Sequence, residues 1–221
     1  MRKERLSREL MAVRVAQELQ EGMVVNLGIG MPTMVSNFIP ADGSIRLHAE
    51  NGILGYGPQP LNGEGDPNLV NGGGEMVIPL PGAVFFHHAD AFAIIRGGHI
   101  DVSILGGMQV SEDGDLANWA TPTRGLGSPG GAVDLAMGAR TCLVMMEHTT
   151  RDGKPKLVSR CTYPLTGKTC VDLVMTDLGL FRVTSDGLVL TEIAPGWAPE
   201  EVQSCTEARL LIGSELKEVL Q

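Results

Sequence analysis

"MVVNLGIGMPTMVSNFI" occupies residues 23–39. Met23 to Leu27 is a short, mainly apolar run that reads as a buried strand. Gly28-Ile29-Gly30 breaks it, and a second apolar segment follows from Met31. Pro32 suits the first turn of a helix, where its missing N–H would have no partner in any case. A strand that feeds a helix through a glycine turn is the building unit of an α/β sheet.

The alternation continues on both sides. Upstream, Ser7 can cap a helix running to about Gln20, with Gly22 to end it. Downstream, "SIRLHAE" (44–50) reads as a strand, and "NGILGYGPQPLNGEGDPNLVNGGG" (51–74) as a loop. A loop of that length inside a compact domain is commonly functional or mobile. "EMVIPLPGAVF" (75–85) is a strand stretch interrupted by Pro79 and Pro81, so it lies at a sheet edge or is irregular. "HADAFAIIR" (88–96) is a helix stopped by Gly97-Gly98, and "IDVSILGGMQV" (100–110) is a buried strand. "GLGSPGGAVDLAMGAR" (125–140) is glycine-rich, then helical from Gly131 to Met137 with Gly138 as its cap. "TCLVMMEH" (141–148) is a further buried strand. Residues 171–193 read as a strand and a hairpin turning at Ser185-Asp186-Gly187. "APEEVQSCTEARL" (198–210) is a closing helix with Pro199 in its first turn. The expectation is one α/β domain over residues 1–221. Its sheet is open, mainly parallel and flanked by helices, with antiparallel hairpin structure late in the chain.

Composition narrows the function. The chain has 221 residues, enough for a sizeable core, and 43% of them are hydrophobic. Its net charge of -9 argues against general binding to nucleic acid or membrane surfaces, which needs excess Lys and Arg. No apolar run approaches the ~18 residues of a membrane span. The four cysteines form no CxxC pair, which fits reduced thiols in the cytoplasm. His48, His87, His88 and His99 match no standard metal spacing, so no metal is expected.

Open α/β sheets bind ligands at the carboxyl ends of their strands. Three segments converge there: "NLGIGMP" (26–32), "AENGILGYGP" (49–58) and "GLGSPGGAVDL" (125–135). Glycine turns entering helices expose N–H groups that suit an anion or a developing oxyanion. Glu50 stands at a predicted strand tip, with Gly52, Gly55 and Gly57 beyond it. A glutamate's ordinary pKa is about 4.3, so it is already an anionic nucleophile at neutral pH. Covalent catalysis through an acyl-enzyme is its natural chemistry. An ion-paired or turn-capping glutamate fits the same local pattern.

"NLGIGMP", "ENGILGYGP", "FAIIRGGHIDVSILGGMQV", "GDLANW", "GGAVDL" and "PLTG" recur in one order and spacing. In these the chain resembles the B (beta) subunits of 3-oxoacid CoA-transferases, over roughly residues 5–213. These class I CoA-transferases include succinyl-CoA:3-oxoacid, 3-oxoadipate and acetate/acetoacetate enzymes. The resemblance implies their fold, which is related to that of sugar-phosphate isomerases. It implies that Glu50 attacks an acyl-CoA and then carries CoA as a glutamyl thioester, in ping-pong order. It implies substrate or CoA contact at Asn26, Gly28, Gly30, Asn51 and Gly52, and an oxyanion hole from the backbone N–H groups of Gly131 and Ala132. No cofactor is implied, since the CoA thioester is a substrate.

Two positions depart from the pattern. Ala49 stands where relatives often carry serine, and His48 where glutamine is common. The resemblance also implies a separate A (alpha) subunit, giving an A/B heterodimer or A2B2, because the chain opens directly on the first B-type helix. The acidic balance agrees, since CoA phosphates would then take cations from elsewhere. An acyl-CoA hydrolase using the same glutamate, or a non-catalytic binding module of this fold, stays open at this point.

Overall fold

A computed structural model describes residues 3–60, 65–121 and 127–219. In chain order, helix α1 (Arg8–Ala16) precedes strand β1 (Val24–Leu27) and a 3₁₀ helix at Met31–Phe38. Strands β2 (Arg46–Ala49), β3 (Ile53–Tyr56) and β4 (Pro79–Phe85) follow. Helix α2 (His88–Arg96) leads to β5 (Val102–Gly106), β6 (Gln109–Ser111) and β7 (Leu116–Ala117). Helix α3 (Ala132–Gly138) precedes β8 (Thr141–Met145), β9 (Leu157–Val158), β10 (Leu173–Thr176), β11 (Gly179–Thr184) and β12 (Gly187–Ile193). Helix α4 (Pro199–Ser204) and strand β13 (Leu210–Glu218) close the chain.

Among the described residues, ten strands form one sheet in the order β13-β12-β11-β10-β8-β5-β1-β2-β3-β4. Its centre, β10-β8-β5-β1-β2, is wholly parallel. Side chains there alternate between two cores with the period of a strand. Val25, Ile104, Leu143, Met145 and Met175 face one core with Met11 and Val15 of α1. Leu105, Val144 and Val174 face the other with Ile95 of α2 and Leu135 of α3. Both faces are covered, so the central strands read as continuous apolar runs.

The parallel sheet, the β4 edge, α2 and the hairpin at residues 185–187 agree with the sequence reading. Antiparallel pairing is more extensive than expected, because β2-β3-β4 also pair that way. The predicted loop at 51–74 conceals β3. Its glycine is part of the strand: a Cβ on Gly55 would lie 3.3 Å from Ala83 Cα on β4. A φ of +88° at the bulge between Leu54 and Tyr56, together with that close approach, explains the residue.

Other boundaries move for local reasons. Ser7 caps α1 as expected, but the helix ends at Ala16, not Gln20, because Gln17, Glu18 and Leu19 tighten into i→i−3 hydrogen bonds. The helix after Gly30 is 3₁₀, not α. There the Thr33 hydroxyl donates to Gly30 O (2.7 Å), and Ser36 does the same to Thr33 O (2.8 Å). Those side chains hold carbonyls at the i−3 spacing of the tighter helix. The single strand expected over 100–110 divides at Gly106-Gly107 into β5 and β6, which belong to different sheets. Helix α3 begins at Ala132, one residue later than read, with Gly131 at its N-cap. The closing helix stops at Ser204, and the missed β13 pairs parallel with β12 at the outer edge.

Candidate functional site

β1 and β2 lie side by side in parallel, with Asn26 in register with His48. Glu50 follows β2 directly and emerges at the carboxyl edge, half-buried. The register brings the Asn26 amide beneath its carboxylate: Nδ2 donates to Glu50 Oε2 at 3.2 Å. The same nitrogen lies 3.1 Å from His48 Nδ1. One NH₂ group thus serves two acceptors. The reversed amide would set carbonyl oxygen against carboxylate oxygen, so the two contacts fix its orientation.

His48 has no exposed surface, and burial pushes its pKa down to about 4. It is therefore neutral near pH 7. With Nδ1 accepting from Asn26, its proton sits on Nε2. Its ring stacks on Phe86, with centroids 5.9 Å apart. Ser103 continues the polar row on β5, in register with Asn26. Asn26 Oδ1, His48 Nε2 and Ser103 Oγ are buried without a partner among the described residues.

The backbone of Glu50 is held as well. His88 Nδ1 donates to Glu50 O at 2.7 Å from the start of α2. The neighbouring His87 accepts from Ala89 N and caps that helix. Gly52, at φ +114°, packs so closely on Phe86 that an added Cβ would lie 2.1 Å from Phe86 O. Tyr56 is buried below, its phenol pKa raised by burial and then by the charges of Glu50 and Glu75.

The end of the loop read over 51–74 covers the carboxylate. Asn71 Oδ1 accepts from Gly73 N and Glu75 N, which curls "NGGGE" (71–75) into a compact turn. A Cβ on Gly72 would lie 2.8 Å from Cδ, Oε1 and Oε2 of Glu50 alike. The run of three glycines was the available signal, but only the fold shows which residue they approach.

Glu50 borders a cavity of about 590 Å³ at the carboxyl ends of β1, β2 and β5. Gly28, Gly131 and Ala132 line it, as expected of converging glycine segments. Trp119 and Asn118 form another wall. Asn118 Nδ2 donates to Gly106 O (3.1 Å) and Trp119 Nε1 to Leu165 O (3.2 Å), so "GDLANW" is tied to "PLTG". Three expected residues stand differently. Gly30 supplies a φ of +90° at the start of the 3₁₀ helix and is not in the wall. The Asn51 side chain donates to Val70 O at 2.7 Å, and Gly52 faces Phe86. The Ala132 N–H donates to Pro129 O at 3.1 Å, which leaves Gly131 as the better-placed amide of that pair. Asp101 and Asp134 pair with Arg140 and Arg96 away from Glu50. Among the described residues, no group of three His, Cys, Asp or Glu is placed to hold a metal ion.

Residues 8–204 match the family model described as coenzyme A transferase. The chain belongs to that family. It is 48% identical over 208 residues to the B subunit of 3-oxoadipate CoA-transferase from Acinetobacter baylyi, covering 94% of this chain and 96% of that one. It is 46% identical over 210 residues to mitochondrial "succinyl-CoA:3-ketoacid coenzyme A transferase 2A" of Rattus norvegicus, covering 94% of this chain but 40% of that one. A crystal structure of an acyl-CoA transferase apoenzyme from Escherichia coli O157:H7 shares the fold, with a TM-score of 0.77 at 20% identity. That match covers 99% of this chain and 44% of the solved chain. Within the coenzyme A transferases, this chain is of the B (beta) type. No helix among the described residues is long and apolar enough to cross a membrane.

Proposed function

We propose that the chain is the B subunit of a 3-oxoacid CoA-transferase, with Glu50 as the covalent carrier. The observation that carries this reading is the Asn26 amide on Glu50 Oε2 at the mouth of the cavity. A glutamate merely filling an ion pair would face a cation. This one faces a neutral donor and glycines, which leaves its charge available to a substrate carbon.

The chemistry follows from two carboxylic acids exchanging one thioester. A Glu50 oxygen attacks the acyl-CoA carbonyl carbon. The C–S bond breaks, CoA leaves as thiolate, and an acyl-glutamyl anhydride forms. The thiolate then attacks the glutamyl carbonyl carbon, and the donor acid leaves as carboxylate. The acceptor carboxylate reverses both steps on the glutamyl-CoA thioester. No net proton is gained or lost, and the oxidation state of every carbon is preserved. The Asn26 N–H stays on the glutamyl oxygen as charge builds there, while the Gly131 N–H faces the oxyanion of the acyl group. Exclusion of water protects the anhydride and the thioester.

An A-type partner completes the site. Ile29, in the cavity wall, is 72% exposed, and Val84 and Phe85 on β4 and Met137 on α3 are exposed as well. Apolar side chains of that size suit a contact between subunits. We place the assembly in the cytoplasm, in keeping with the four free cysteines. The acids exchanged are of the short oxoacid and dicarboxylic class named for relatives.

The test uses the A/B complex. Incubation with acyl-CoA and then borohydride should reduce Glu50 itself, since borohydride reduces a thioester but not a carboxylate. Glu50→Gln should lose both the labelling and all transfer. Undiminished transfer in that variant would remove the mechanism, and CoA release independent of added carboxylate would make the protein a hydrolase.

A further inference from the structure

The polar row beneath Glu50 has more hydrogen-bonding capacity than it uses. His48, Asn26 and Ser103 stand in register on β2, β1 and β5, three neighbouring parallel strands. All three are fully buried. Leu47, Val25 and Ile104, next to them in sequence, belong to the core on the opposite face. The three polar side chains therefore point to one side of the sheet together. The next position in register, on β8, is the buried Cys142. A thiol is a weak hydrogen-bonding partner and does not satisfy the serine.

The open valences complement one another. Asn26 Nδ2 is committed to His48 Nδ1 and Glu50 Oε2, both on the β2 side. That turns Oδ1 toward β5, the side of Ser103. An acceptor is left at Asn26 Oδ1, a donor at His48 Nε2–H, and at Ser103 Oγ a group that can be either. A buried polar group without a partner is costly, so native proteins rarely leave one, and here there are three in one row. Neighbouring strands stand about 4.8 Å apart. Two hydrogen bonds of about 2.8 Å cross such a spacing where a single one falls short. Water accepts from His48 Nε2–H and donates to Asn26 Oδ1 and Ser103 Oγ, which makes about three bonds, the usual number for a buried water.

We propose that one buried water joins Asn26 Oδ1, His48 Nε2 and Ser103 Oγ, and that Ser103 is through it a positioning residue for Glu50. The proposal rests on the CoA-transferase reading above. Ser103 touches no reacting atom. It holds the water, the water holds the Asn26 carbonyl oxygen, and the amide is then held from both ends with its N–H on Glu50. A donor on Oδ1 also polarises the amide and strengthens the bond that Nδ2 gives to the carboxylate. Positioning of the nucleophile thus extends across three strands, from β2 through β1 to β5.

The test uses the A/B complex with Ser103→Thr, Ser103→Val and Ser103→Ala. Threonine and valine share a shape and differ in the hydroxyl, so steric effects cancel between them. Ser103→Val should lower kcat about 3- to 10-fold relative to Ser103→Thr, with KM changed by less than about twofold. Ser103→Ala should fall with valine, and should add no loss to Asn26→Ala. A crystal structure that resolves ordered water should show one within hydrogen-bonding distance of all three atoms, and Ser103→Val should lose it. Equal kcat for threonine and valine, or a loss additive with Asn26→Ala, would overturn the positioning role. A direct Ser103–Asn26 bond with no water between would overturn the water. Thermal melting checks that each variant is folded. If valine is not, alanine decides, and wild-type kcat in Ser103→Ala overturns the role. If the wild-type complex holds the water but transfers no CoA, the function falls and the water site stands. If it transfers CoA and holds no water there, the site falls and the function stands.

Discussion

The side-chain amide of Asn26 donates to Glu50 Oε2 across 3.2 Å, from a strand whose sequence is otherwise apolar. A hydrogen bond to a charged group is worth about 1.5–3 kcal/mol. If it persists onto the glutamyl oxygen in the transition state, its loss appears in kcat. Asn26→Ala is expected to lower kcat by roughly 10- to 100-fold, with a much smaller change in KM. Steady-state transfer kinetics of the A/B complex check this. A rise in KM at constant kcat would show that Asn26 binds substrate uniformly instead.

His48 acts one step further away. Its Nδ1 is the second acceptor for the Asn26 amide and touches nothing that reacts. A glutamine can offer an acceptor oxygen in the same place, whereas leucine cannot. His48→Gln should stay within about threefold of wild-type kcat, and His48→Leu should lose roughly tenfold. The double variant Asn26→Ala/His48→Leu should be no slower than Asn26→Ala alone, because the histidine works through the asparagine. Additive losses would separate the two residues.

The buried histidines also set a pH dependence of stability. His48 and His148 are fully buried, and burial is the chief cause that holds each near a pKa of about 4. His148 is satisfied as a neutral ring. Its Nε2 donates to Thr206 Oγ1 (2.8 Å), whose own hydrogen goes to Val202 O, and Nδ1 pairs with Thr176 Oγ1 (2.9 Å). In the unfolded chain a histidine titrates near 6.5. Between pH 6.5 and about 4 the unfolded state binds more protons, so stability falls as pH falls through that window and levels off below it. From pH 7 to pH 5 the loss should be on the order of 2 kcal/mol per histidine. Urea unfolding at the two pH values measures it. His48→Gln should remove about half of the slope, and an unchanged slope would contradict the assignment.

Much of this fold is legible in the residues because strand burial is two-sided. "VVNL", "VSILG" and "TCLVM" are short apolar runs that only a covered parallel sheet explains. The strand tip and glycines around Glu50 fit an ion-paired or turn-capping glutamate as well, so the role proposed for it came from the resemblance and not from the local pattern. What stayed hidden depends on contacts distant in sequence. Glycine reads as a loop signal whether it turns the chain, as at Gly30, or bulges a strand, as at Gly55. Asn51 and Gly52 directly follow Glu50 in sequence, yet their surroundings are Val70 and Phe86.

Gly72 offers the sharpest check on that last kind of information. It is distant from Glu50 in sequence, beyond the whole of β3, in a loop whose sequence did not say what it approaches. Its φ is not in the left-handed region, so alanine meets no backbone penalty there. The new methyl would meet the Glu50 carboxyl group at 2.8 Å, well inside contact distance. Either the carboxylate rotates off the Asn26 amide or the loop lifts from it. Both outcomes misplace the nucleophile, and a shift of about 1 Å can cost roughly 100-fold in rate. Gly72→Ala should therefore lower kcat at least tenfold while shifting the thermal midpoint by only a few degrees, since the loop is at the surface. Circular-dichroism melting and transfer kinetics on one preparation check both halves. Wild-type kcat in Gly72→Ala would mean that the loop does not bear on Glu50 during turnover.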